Sequence, residues 1–193
     1  MHDVTFNFLG LSEPRILGFE SVSGEIVDVQ ASTGPRLHEF QTGGRYKLVI
    51  KNTEDKKISA EVDHFLADPC IGNWISLLYV TDKTHGRGKK ILAGLVNLDV
   101  KKNVRTQAPI RPTRHIMRFL GIEASTGLFY GFLAGFGVTA MIATGHVGGI
   151  ILGAFAGGIA YHLTISPSEN KAEKKLSNDL SLELASLAQQ LRN

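Results

Sequence analysis

Residues Gly127–Ile165 read GLFYGFLAGFGVTAMIATGHVGGIILGAFAGGIAYHLTI, and the stretch holds no Asp, Glu, Lys or Arg. As one straight helix its 39 residues would run for about 58 Å at 1.5 Å per residue. An apolar bilayer core is only about 30 Å thick. Two crossings of about 19 residues each fit that thickness, because helices satisfy their own backbone hydrogen bonds in lipid. The segment Thr144-Gly145-His146-Val147-Gly148-Gly149 supplies turn formers between them. The expected element is a helical hairpin, with one helix over Gly127–Ala143 and a second over Gly149–Ile165.

Glycines recur every fourth residue in both helices, at Gly127, Gly131 and Gly135 and again at Gly149, Gly153 and Gly157. Residues four apart share a helix face, so each helix carries a smooth stripe on which another backbone can approach closely. This pattern resembles a glycine-zipper transmembrane hairpin, a motif shared by many unrelated membrane proteins. The resemblance implies tight helix packing and no particular activity. Two arrangements follow: the stripes face each other within one hairpin, or one of them packs on another subunit.

The flanks of the hairpin are basic. Lys101, Lys102, Arg105, Arg111, Arg114 and Arg118 precede it, Lys171, Lys174 and Lys175 follow it, and the intervening loop has no Lys or Arg. Basic flanks favour the cytoplasmic face, and a hairpin returns both flanks to one side. The expected location is the inner, cytoplasmic membrane, with two passes and both termini cytoplasmic. The mild net charge of +3 sits mostly in these flanks, where anionic headgroups are its simplest partner. The single cysteine, Cys70, cannot form an internal disulfide and fits a reducing compartment. The first fifteen residues lack the basic start and apolar run of a secretory leader.

Outward from the hairpin, residues 1–105 read as β structure. Short apolar runs alternate with polar residues and are punctuated by Gly, Asn, Asp and Ser. Phe6, Phe8 and Leu9 suggest a first strand or an arm. Arg15–Ala31 holds one or two strands, with a bend or bulge at Ser23-Gly24. Tyr46, Leu48 and Ile50, then Ile58, Ala60 and Val62, alternate across a polar turn and predict a hairpin. Trp74–Val80 is apolar on both faces and reads as a central strand with Trp74 in the core. Ile91–Val100 returns, with Leu92, Val96, Leu98 and Val100 inward. Strands of this number and length predict a small antiparallel barrel or sandwich of SH3-like or OB-like kind.

The remaining segments connect and terminate these parts. Thr106–Thr113 carries two prolines and is expected to be an extended linker. Arg114–Ile122 is expected to be a short amphipathic helix, either on the membrane surface or leading into the hairpin. Ser166–Asn170, with Pro167, should break the chain before a final amphipathic helix over Lys171–Arg192. In that helix Leu180, Leu184, Leu187 and Leu191 form a seam spaced 4, 3, 4. Docking on the β domain or on a neighbouring subunit is the expected use of this seam. The expected class is thus an α+β membrane protein with four parts: a β domain (1–105), a linker (106–126), the hairpin (127–165) and a helical tail (166–193).

No nucleotide-binding, zinc-protease, CxxC or nucleophile-elbow motif is present. The loop Gly86-Arg87-Gly88-Lys89-Lys90 lies between strands, whereas a phosphate loop leads into a helix. His38, Glu39, Asp63, His64 and Cys70 have no diagnostic metal spacing. His146 and His162 can both sit at headgroup level. No cofactor is expected. Nucleic acid is not the expected partner, since the basic loop 83–90 carries no aromatic residue on which a base could stack. The expected role is non-enzymatic: a membrane-anchored subunit that self-associates or scaffolds a larger complex. The alternative is a small oligomeric channel gated by the β domain, with Thr139, Thr144, His162 and Thr164 as its polar groups.

Overall fold

The structure, a computed structural model, describes residues 3–9, 11–32, 45–63, 69–84, 88–122 and 126–192. The expectations for His38, Glu39, His64, Gly86, Arg87 and most of the loop 32–44 lie outside the described residues. Among the described residues, seven antiparallel strands precede three helices. The strands are β1 (Asp3–Phe6), β2 (Arg15–Ser32), β3 (Arg45–Lys51), β4 (Lys57–Asp63), β5 (Trp74–Asp82), β6 (Lys90–Leu98) and β7 (Val104–Pro109). The helices are α1 (Thr113–Leu120), α2 (Thr126–Thr144) and α3 (Gly148–Arg192).

The sheet runs β4-β3-β2-β5-β6-β7, with β1 added beside β2. Strand β2, 18 residues long, organises it. One edge of β2 holds β1 at residues 15–18 and β3 at 25–32, while the other holds β5 at 17–25. The predicted β3–β4 hairpin forms, with Ile50 opposite Ile58, Leu48 opposite Ala60 and Tyr46 opposite Val62. Its turn is held by Asn52, whose side-chain oxygen accepts the backbone N–H groups of Glu54 and Lys56 at 3.0 and 2.9 Å. Gly24 allows β3 to pass close to β2: a Cβ there would lie 2.6 Å from Ile50 Cγ2. The bulge falls slightly later, between Ile26 and Asp28.

The sheet does not close, which corrects the barrel or sandwich expectation. Strands β4 and β7 end the path and, among the described residues, do not pair with each other. The reason lies in how the two faces are covered. One face packs against helices: Phe6, Phe19, Leu78, Val80, Val96 and Leu98 share a core with Ile116, Met117 and Leu120 of α1 and with Leu176, Leu180, Leu184 and Leu187 of α3. Among the described residues, no helix contributes to the other core, where Ile26, Leu48, Ile50, Val62, Ile75, Leu77 and Leu95 are buried together. Helices laid on one face bury it without the sheet closing on itself.

Three further expectations are corrected. Residues 106–109, expected to begin the linker, belong instead with Val104 and Arg105 to the edge strand β7, paired with β6. Pro109 is its last residue, where a missing N–H costs no ladder bond. Val100 is not inward; it is exposed, because β6 ends at Leu98 and Asp99 starts a turn. The Asp99 carboxylate accepts the N–H groups of Lys101 and Asn103 at 2.9 and 2.8 Å. Its pKa is lowered, chiefly by the Asn103 backbone hydrogen bond. Finally, 166–170 is no break: α3 is one helix of 45 residues with Pro167 inside it, about 67 Å long. An interior proline costs about 3 kcal/mol. Burial of Ile165 before it and of Ala172 and Leu176 after it holds both sides in place.

Helix α1 docks rather than floats. Its apolar residues Ile116, Met117 and Leu120 point into the core, and its basic face is outward. It ends in a Schellman turn, with Gly121 at φ 72°. There the Gly121 and Ile122 N–H groups donate to Arg118 and Met117 carbonyls at 3.0 and 2.8 Å.

Candidate membrane-binding hairpin

Helices α2 and α3 turn at Gly145, whose φ of 69° suits glycine. Helix α2 starts and stops within a residue of the predicted bounds and α3 starts within one, but α3 continues well past the predicted end at Ile165; the two helices pack along most of α2. Of the two predicted glycine rows, only the one on α3 makes this contact. A Cβ on Gly149 would lie 2.7 Å from the Ala140 carbonyl oxygen, and one on Gly153 would lie 2.7 Å from the Phe136 carbonyl carbon. One on Gly157 would lie 2.9 Å from the Phe132 carbonyl carbon. All three glycines are buried against the α2 backbone. From α2 the reciprocal small residue is Gly137, where a Cβ would stand 3.2 Å from the Ile150 oxygen. Spacing alone did not single out Gly137, because it stands outside the every-fourth-residue row.

The α2 row faces elsewhere. Gly131 and Gly135 are exposed, and a Cβ on either would meet nothing within 4 Å. Gly127 falls in the first turn of α2, and its surroundings lie outside the described residues. The two stripes therefore do not face each other: the α3 stripe is used inside the hairpin and the described part of the α2 stripe is open.

The rest of the hairpin surface is apolar and uncovered. Ile142, Ile151, Phe155 and Leu163 are 77%, 75%, 74% and 72% exposed. A groove of about 690 Å³ runs between the helices past Phe129, Leu133, Ile151, Phe155 and His162. The hydroxyls of Thr139, Thr144 and Thr164 donate to the Gly135, Ala140 and Ala160 carbonyls of their own helices at 2.7, 2.8 and 2.7 Å. Tyr161 is packed edge-on against Phe129 and Phe132, with centroids 5.2 and 5.8 Å apart. By length and composition α3 can cross a membrane, whereas the apolar part of α2, Leu128–Thr144, is shorter.

The tail seam docks within the chain. Leu180, Leu184 and Leu187 are buried against the sheet and Leu191 is partly buried there. Gly94 on β6 admits Leu184, whose Cδ2 would lie 2.9 Å from a Cβ at that position. The six basic residues do not form one cluster. Lys102 lines a cleft of about 540 Å³ with Trp74, Gln190 and Leu191, at the opposite end of α3 from the hairpin. Ile165 and Gln190 are roughly 37 Å apart along the helix. Arg111 and His115 meet at 3.1 Å beside α1, and Arg114 and Arg118 lie on the exposed face of α1. Lys101 and Arg105 belong with Lys102 to the β6–β7 end. Among the described residues, no three His, Cys, Asp or Glu side chains gather to hold a metal ion. Cys70 is exposed.

A scan against protein-family models finds no match, and searches of curated proteins and of solved structures find none either.

Proposed function

We propose that the α2–α3 hairpin inserts into a bilayer and anchors the β domain to it, and that the protein is a non-enzymatic subunit assembling with further copies in the membrane. One observation carries the anchor: large apolar side chains stand exposed along α2 and along α3 up to Ile165, with no charge among them. Exposed apolar surface of that extent is unstable in water and ordinary in lipid. The 19 residues of α2 measure about 28 Å, close to the thickness of a bilayer core. A two-pass insertion puts both termini on one side. Arg114, Arg118, Lys171, Lys174 and Lys175 favour the cytoplasmic side of the inner membrane.

Self-association is supported by the open glycine face at Gly131 and Gly135, on which a second helix can pack closely. Nothing favours the channel reading, because the threonine hydroxyls are already bonded within their own helices. Reconstituted protein should resist alkaline carbonate extraction from vesicles, and release into the supernatant would overturn the anchor. The detergent-corrected mass of the purified particle should correspond to a discrete oligomer, and Gly131→Leu should lower that mass. A monomeric wild-type particle would overturn the self-association.

A further inference from the structure

We propose that the loop between β1 and β2 is a second membrane-contacting element, and that the cleft it forms with the base of the hairpin seats the glycerol end of a phospholipid acyl chain. This inference rests on the anchored reading above. Leu9 in that loop is 60% exposed, although its neighbour Phe8 is buried in the core. An apolar side chain at that position gains nothing from water. The Leu9 N–H donates to Ser168 Oγ at 2.9 Å, three residues beyond the end of the apolar stretch. The loop is thereby pinned at the level where α3 passes from apolar to polar sequence.

Between loop and hairpin lies a cleft of about 550 Å³, bounded by Leu9, Leu11, Ser12, Leu128, Phe132, Thr164 and Ile165. Five of these seven are apolar, and the two polar ones, Ser12 and Thr164, are uncharged. Leu128 lies near the start of α2 and Thr164 near the end of the apolar part of α3. The cleft thus sits at the edge of the hairpin's exposed apolar surface and is continuous with it. An occupant must be apolar along its length and present beside the hairpin base. The first methylenes of a lipid chain meet both conditions. Because the loop is already fixed to α3, seating the chain orders little protein.

The test uses the full chain with Cys70→Ser, reconstituted in phosphatidylcholine–phosphatidylglycerol vesicles. Single cysteines at Leu9→Cys, Ile151→Cys and Leu182→Cys carry an environment-sensitive fluorophore. Quenching is read with lipids brominated near the glycerol or near the chain end. The Leu9 label should be quenched roughly twofold more than the Leu182 label by the shallow bromines, as for an interfacial residue. The Ile151 label should respond to the deep ones. Quenching at Ile151 with Leu9 behaving like Leu182 would overturn the lipid cleft and leave the anchor standing. No quenching at Ile151 would overturn the anchor, and the cleft with it. A Leu9 label shielded from water yet unquenched would mean that protein fills the cleft, and would overturn the lipid assignment.

Discussion

The two halves of α3 are built in opposite senses. Before Ile165, the buried residues are Gly149, Gly153 and Gly157, while Ile151, Leu152, Phe155 and Leu163 are exposed. After it, the buried residues are Leu176, Leu180, Leu184 and Leu187, and Lys171, Lys174, Lys175 and Ser181 are exposed. The second half follows the logic of water: large apolar groups go inside, each fully buried leucine contributing about 1.5–3 kcal/mol. The first half has the pattern expected in lipid, where apolar side chains gain nothing by hiding and close backbone contact holds helices together. On the proposed anchored reading, a single continuous helix passes through a change of solvent along its length. Pro167 lies at that change.

The largest expected effect is in the leucine half. Leu180→Ala should destabilise the docked helix by about 3 kcal/mol, by lost transfer energy plus a cavity. Denaturation of the β domain in mild detergent, followed by the fluorescence of Trp74, would measure it; a change below about 0.5 kcal/mol would mean that the docked face is not a core. In the glycine half, Gly153→Leu should loosen the hairpin by about 1–3 kcal/mol through overpacking against Phe136. Gly131→Leu should leave the hairpin itself intact, and its effect should appear only in association. Cross-linking between cysteines at Phe136 and Ala154 would report hairpin closure, and equal losses in the two variants would erase the asymmetry of the stripes.

Smaller effects sharpen the boundary between the halves. Gly94→Ala should cost about 1 kcal/mol, since Leu184 must shift to admit the methyl. Ser168→Ala should cost about 0.5–1.5 kcal/mol, the net worth of the bond from Leu9; hydrogen exchange at Leu9 would show it first. The smallest concerns pH. Asp99 has a lowered folded pKa, so its contribution is present above the ordinary aspartate pKa and lost as pH falls through the folded value. An acid titration of thermal stability should therefore be flatter in Asp99→Ala than in the wild type below the ordinary aspartate range.

Local signals in the sequence were sufficient where a single periodicity acts alone. Alternation predicts that Tyr46, Leu48 and Ile50 and then Ile58, Ala60 and Val62 form a hairpin, and the absence of charge places both ends of α2 and the start of α3 to within about a residue. The seam Leu180, Leu184, Leu187 is legible in the spacing, but the choice between the β domain and a neighbouring subunit as its docking surface is not; the structure seats it on the β domain. The choice between barrel and open sheet is not legible either, because it depends on which faces α1 and α3 cover, and alternation within a strand is the same either way. Thr106–Thr113 reads as a linker because its two prolines, Pro109 and Pro112, outweigh a short alternating run; an edge strand tolerates the first of them as its last residue. Pro167 signalled a break that burial on both sides overrides. The roles of the two glycine rows were undecidable from spacing, since both repeat at four and only the contact geometry separates them.

The most direct test of a change of solvent along α3 is a cysteine scan in sealed vesicles, on the Cys70→Ser background. Ile151, Phe155, Leu163, Lys171, Leu182 and Ser186 would be replaced one at a time and exposed to a membrane-impermeant maleimide from either side. Protection at 151, 155 and 163 and rapid labelling at 171, 182 and 186, all three from one side of the membrane, is the predicted result. Labelling at Ile151 or Phe155 as fast as at Leu182 would contradict it, and would mean that the apolar half of the helix is not in lipid.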